Sequence, residues 1–152
     1  MRLTLHTDYA LRLLMLLAAE PGRRHTIEEI AARYAIARNH LTKVALRLSQ
    51  AGFVRSLRGR HGGLELARPP AAINLGAVVR ATEDNFALVE CFDAARNGCV
   101  ITAACGLKGP LQEALTAFLA TLDRYSLEDL VKARPAGRAL RRVLAATQPG
   151  NA

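Results

Sequence analysis

Residues 53–67 constrain the fold more than any other stretch of this chain. Two short runs, Phe53-Val54-Arg55-Ser56-Leu57 and Gly63-Leu64-Glu65-Leu66-Ala67, alternate apolar and polar side chains. That is the period of half-buried strands. Between them lies Arg58-Gly59-Arg60-His61-Gly62, so the spacing predicts a β-hairpin with a glycine-rich, basic tip. What precedes it is helical. Residues 7–19 place Tyr9, Leu13, Leu16 and Leu17 on one side of a first helix, which Pro21-Gly22 ends. Thr26 and Glu29 have the Thr-x-x-Glu spacing of a capping box. The helix they open would bury Ile27, Ile30, Ala31 and Tyr34. After a break at 35–37, a third helix over 38–50 buries Leu41, Val44, Ala45 and Leu48, with Gly52 as its cap. Two short helices, a tight turn and a basic hairpin follow the order of a winged helix-turn-helix.

The polar side of the third helix suits the major groove. Arg38 and Thr42, and Asn39 and Lys43, are four residues apart and share a face away from Leu41 and Val44. Arginine pairs with guanine and asparagine with adenine through paired hydrogen bonds. His40 joins them or contacts phosphate. At the hairpin tip, Arg58, Arg60 and His61 stand among glycines that let the backbone approach a phosphate closely. An arginine there can enter a narrow minor groove. The charge distribution agrees. The chain carries a formal net charge of +8. Residues 1–68 hold 12 Lys and Arg against 5 Asp and Glu, while residues 69–152 hold 9 against 8. A basic half joined to a nearly neutral one suits a DNA-binding module attached to something else.

Beyond Pro69-Pro70, residues 74–83 form a short amphipathic helix, and residues 84–106 show no clear periodicity. A longer helix runs over about 110–124, with Pro110 in its first turn and a stripe of Leu111, Leu115, Phe118, Leu119 and Leu122. Ser126 and Asp129 cap a further short helix, and a basic segment with a frayed tail follows. The expected architecture is mainly α with a small β-hairpin wing: a winged helix-turn-helix plus a long dimerisation helix. Its divisions are residues 1–70 for DNA reading, 71–135 for the cysteine loop and dimerisation helix, and 136–152 as a C-terminal basic extension. No run of eighteen apolar residues exists to span a membrane. Leu13-Leu14-Met15-Leu16-Leu17-Ala18-Ala19 has the look of a short signal core, but Asp8 and Arg12 interrupt its approach and the stretch continues a helical pattern. The expected location is cytoplasmic.

The chain has 3 cysteines, Cys91, Cys99 and Cys105. An odd number argues against a simple disulfide framework, and no Cys-x2-Cys pair supports a zinc finger. Three thiolates need a fourth ligand to close a zinc or iron–sulfur site. No histidine lies between residues 62 and 152, so that ligand would be an oxygen donor, a distant residue or solvent. Glu90 and Asp93 are the nearby oxygens. Spacing alone leaves metal binding and three incidental thiols equally open.

With these parts placed, the chain resembles the winged-helix iron–sulfur repressors of the IscR/NsrR type, and most closely their nitric-oxide-sensing branch. The resemblance runs from Met1 to about Val131. It rests on Leu3-x4-Asp8-Tyr9-Ala10-Leu11-Arg12, Arg38-Asn39-His40-Leu41-x-Lys43, Arg58-Gly59-Arg60-His61-Gly62-Gly63-Leu64, Cys91, Cys99-x-Ile101-Thr102-x-Ala104-Cys105-x-Leu107 and Leu122-Asp123-x-Tyr125-Ser126-Leu127-x-Asp129-Leu130-Val131. It implies that Cys91, Cys99 and Cys105 hold an iron–sulfur cluster, 4Fe-4S in preference to 2Fe-2S. The fourth ligand would be Asp8 of the partner subunit, with Arg12 one helical turn away pairing with it. It further implies a homodimer joined along the helix around 111–122, a double-stranded DNA operator, and release of that DNA when nitric oxide reacts with the cluster. The IscR branch has a histidine two residues after the third cysteine. Here that position is Leu107, which argues against a site of that kind.

Two other binding readings stay open on the sequence. One is a regulator of the same fold that responds to iron or iron–sulfur status. The other is a zinc-stabilised DNA-binding protein without redox sensing. An enzyme is not expected, because the chain shows no paired carboxylates, no nucleophile with its base and no phosphate loop.

Overall fold

The computed structural model describes residues 2–60, 62–132 and 135–147. Helix α1 (Leu5–Ala19) begins two residues before the predicted start. Thr4 is the reason: its hydroxyl accepts a hydrogen bond from the Thr7 amide at 3.2 Å, satisfying one of the free donors of the first turn. Helix α1 is the axis of the core. Ala10, Leu13, Leu14 and Leu16 are wholly buried, because α3, α4, α6, α7 and β2 all pack around it.

Helix α2 (Ile27–Tyr34) has the expected capping box. The Glu29 amide donates to the Thr26 hydroxyl at 3.1 Å and the Thr26 amide donates to the Glu29 carboxylate at 2.8 Å. The helix ends at Ala35, whose φ of 50° lies in the left-handed region. That reversal lets α3 (Arg38–Gln50) start three residues later and bury Leu41, Val44, Ala45 and Leu48 against α1 and α2. Strands β1 (Val54–Leu57) and β2 (Gly63–Leu66) pair antiparallel, with Val54 opposite Leu66 and Leu57 opposite Gly63.

Besides packing on α1 and α3, the hairpin is hydrogen-bonded through its backbone to His25, just before α2. The His25 amide donates to the Leu64 carbonyl at 3.2 Å, and the Leu64 amide donates to the His25 carbonyl at 2.8 Å. Gly63 makes this approach possible. Its φ is 146°, and a Cβ there would meet the His25 carbonyl oxygen at 3.0 Å, so a side chain would be both strained and crowded.

Helix α4 (Leu75–Thr82) is capped by Asn74, whose side-chain oxygen accepts from the Ala77 amide at 2.9 Å. Two short 3₁₀ turns, Glu90–Phe92 and Thr102–Ala104, are the regular structure of the following loop. Helix α5 (Lys108–Asp123) starts two residues before Pro110, and α6 (Leu127–Lys132) begins at the expected Ser126 and Asp129 pair. Helix α7 (Ala136–Ala146) was not anticipated; a basic segment without an element was expected there. Three arginines mask a short apolar ridge. Leu144 from that ridge is 2% exposed and enters the same core as Leu13, Leu127 and Val131. Helix α7 therefore packs back against α1. Among the described residues, no helix is long and apolar enough to cross a membrane.

Candidate nucleic-acid interface and thiol loop

Helix α3 exposes Arg38, Asn39, His40, Thr42 and Lys43 together, while its opposite side is closed into the core. Glu28 at the start of α2 holds the Arg38 guanidinium at 2.7 Å, and the Thr42 hydroxyl donates to the Arg38 carbonyl at 3.0 Å. The His40 ring stands edge-on to Tyr9 of α1, with centroids 6.2 Å apart. Asn39 and Lys43 are therefore the least committed side chains of the group. On the hairpin, Arg58 and Arg60 are exposed and make no ion pair among the described residues. His61 lies outside the described residues. Arg55 is different: it shares the Glu65 carboxylate with Arg24, and these hydrogen bonds hold the Glu65 carboxyl below its ordinary pKa.

Beneath the hairpin lies a buried ionic junction that sequence reasoning missed. Glu20, at the end of α1, accepts from Arg33 of α2 at 2.6 Å and from Arg23 at 3.1 Å. Arg33 also donates to the Leu144 carbonyl of α7 at 2.5 Å, and its side chain is 1% exposed. His25 is fully buried, with Nε2 3.4 Å from the Glu20 carboxylate. Burial opposes the charge on Glu20, but the hydrogen bond and charge of Arg33 win, and its carboxyl titrates below the usual range. Burial pushes the His25 imidazole the other way in charge, toward the neutral form, so its pKa is lowered. A cation at position 33, one residue before the half-buried Tyr34 and three after Ile30, was the available signal.

Cys91, Cys99 and Cys105 are all free thiols, partly exposed. They sit on a loop held by local hydrogen bonds. The Asn97 side chain accepts from the Cys99 amide at 3.1 Å and the Thr102 hydroxyl at 3.2 Å. Asp93 pairs with Arg96 at 3.1 Å, which engages one of the two oxygen donors near the cysteines. Val100 is 96% exposed, and Ile101 and Leu107 are also exposed. Asp8, in the first turn of α1, is gripped at both oxygens by Arg12, at 3.0 Å from Nε and 2.6 Å from Nη2. The structure thus brings Asp8 and Arg12 together. Among the described residues of the single chain, no three His, Cys, Asp or Glu side chains converge as a metal site. The donor chemistry nevertheless fits a thiolate-bound metal cluster, since three unoxidised thiols lie on one loop.

Helix α5 buries one apolar side chain, Leu115. Leu111, Phe118, Leu119 and Leu122 remain half-buried, leaving an apolar stripe that its own chain does not cover.

The sequence pattern of the Rrf2 family, described as "Iron-dependent Transcriptional regulator", matches residues 3–133. The chain belongs to the Rrf2 family. Its relatives include the HTH-type transcriptional regulator NsrR of Bacillus subtilis (strain 168), 57% identical over 133 residues, which are 87% of this chain and 91% of the relative. Among solved structures it is similar to CymR, the global cysteine regulator of B. subtilis, with a TM-score of 0.69 and 26% identity over 86% of this chain and 95% of that one. T. potens IscR shares the fold, with a TM-score of 0.68 and 24% identity over 87% of each chain. As an Rrf2 protein the chain is a winged-helix transcriptional regulator and not an enzyme. Helix α7 lies beyond the residues that the family pattern matches.

Proposed function

We propose that this chain is a homodimeric transcription repressor that binds a double-stranded DNA operator under the control of an iron–sulfur cluster and nitric oxide. The 57% identity to NsrR, extending over 87% of this chain, is the observation that carries the reading. Cys91, Cys99 and Cys105 would hold the cluster as thiolates, with Asp8 of the partner subunit as the fourth ligand; four irons fit this set. When bound, the cluster supplies iron that reacts with nitric oxide.

The chain's own residues do the rest. Arg12 holds the Asp8 carboxylate in place, and each of its oxygens keeps a further lone pair for another partner. Asp8 belongs to α1, against which both α3 and β2 pack. A constraint on Asp8 therefore orients the recognition helix and the hairpin together. Arg38, Asn39, His40, Thr42 and Lys43 would read the major groove, with Arg58, Arg60 and His61 at the adjacent minor groove or phosphates. The half-buried α5 stripe would form the seam of the dimer, which spaces two recognition helices one DNA turn apart. The division at 1–70, 71–135 and 136–152 is functional in this reading, since α6 and α7 share the core of α1. A reducing, cytoplasmic setting suits free thiols.

The test is to purify the protein without oxygen and record its visible spectrum and iron content before and after nitric oxide. A brown protein whose spectrum changes supports the reading. A colourless protein that takes up no iron on reconstitution overturns it. Cys99→Ser should give a stable dimer that lacks iron and binds operator poorly; full-strength specific binding by that variant would remove the sensing role.

A further inference from the structure

Three parts of the reading head meet at His25. Its backbone forms the bridge to β2 of the hairpin, Thr26 beside it caps α2, and its ring faces Glu20 at the end of α1. The ring is fully buried, and neither nitrogen has a hydrogen-bond partner among the described residues. From α1, the charged group facing it is Glu20. From the turn it is Arg23, and from α2 they are Arg33 and Glu29. From β2 the neighbour is the apolar Leu64, because the Glu65 carboxylate turns outward to Arg24 and Arg55.

Glu20 is already committed. One oxygen holds Arg33 and the other holds Arg23. A proton on His25 would place a further cation against a carboxylate already shared by two guanidiniums, on a ring that is itself closed to water. We propose that His25 is a positioning residue for DNA binding: its neutral, buried ring locks the hairpin onto the helices, and protonation loosens the hairpin and weakens DNA binding. The proposal rests on the DNA-binding reading above.

The lowered pKa of the ring, caused first by burial and then by Arg23 and Arg33 against Glu20 and Glu29, agrees with this. The sign is definite. A histidine with a depressed folded pKa contributes fully above its unfolded value of 6.5, and that contribution is lost as pH falls from there through the folded pKa. Comparing wild type with a His25 variant separates this effect from every other pH effect on DNA binding.

The experiment measures affinity for a duplex of about 30 base pairs, long enough for two half-sites and recovered by the wild-type protein from a random-sequence pool. Binding is followed at constant ionic strength from pH about 7.5 to about 5.5, which spans the ordinary histidine range, for wild type and His25→Leu. Wild type should lose about tenfold more affinity than the variant over this range, the most that uptake of one proton contributes about one pH unit below the ordinary histidine value. Identical pH profiles overturn the proposal. Should His25→Leu fail to fold, NMR titration of the wild type decides. The Leu64 amide must shift with the same midpoint as the His25 ring, and a Leu64 amide that ignores the ring overturns the lock. If neither protein binds DNA at any pH, the DNA-binding reading fails while the NMR titration still reports on the lock.

Discussion

The reading head and the thiol loop are held together by different means. Helix α1 alone buries eight residues, and the α3 side chains at 41, 44, 45 and 48 close against it. From residue 84 to residue 114 no side chain is buried. The loop keeps its shape through Asn85, Asp93 and Asn97, each turning back to a backbone amide two residues on. Apolar burial specifies one arrangement because displacing it exposes surface to water. Local turns specify a path without closing the thiols into a core. In this molecule the helix that would read DNA and the thiol loop are built on opposite principles.

Four substitutions break or sharpen that contrast, each read by urea unfolding of the metal-free protein. Leu14→Ala, at a wholly buried site, should cost on the order of 2–5 kcal/mol. Arg33→Ala leaves Glu20 and the Leu144 carbonyl without their buried donor and should cost about 3 kcal/mol. Gly63→Ala forces a side chain against the His25 carbonyl at a left-handed φ, and should cost about 1–3 kcal/mol. It should also weaken DNA binding by tilting the hairpin. Cys91→Ser should change stability by less than about 0.5 kcal/mol. If it proves as damaging as Leu14→Ala, the loop has a tertiary hold of its own and the contrast fails.

Legibility followed the same divide. The third helix appears with the bounds that its apolar spacing predicted, because Leu41, Val44, Ala45 and Leu48 report burial directly. The hairpin was readable from alternation around glycines, and α2 from the Thr26 and Glu29 pair. Helix α7 was not, since Arg138, Arg141 and Arg142 dilute the ridge carrying Leu140 and Leu144. The Glu20, His25 and Arg33 junction was equally hidden. Its members come from α1, a turn and α2, and only the fold shows that all three point inward. For the cysteines, number and spacing were visible, but no local pattern states whether the three thiols come together, and among the described residues they form no metal-holding group.

The bond from Arg33 to Leu144 spans 111 residues, and this sets a timetable for synthesis. At about 5–20 residues per second, the reading head emerges from the ribosome several seconds before the carbonyl that completes Arg33. Until then α1 also lacks Leu127 and Val131 against its side. A nascent or prematurely terminated chain would hold the recognition helix and hairpin on an unfinished core. A chain cut short before α7 leaves the Arg33 guanidinium without its Leu144 acceptor and is expected to unfold at lower urea than the full chain.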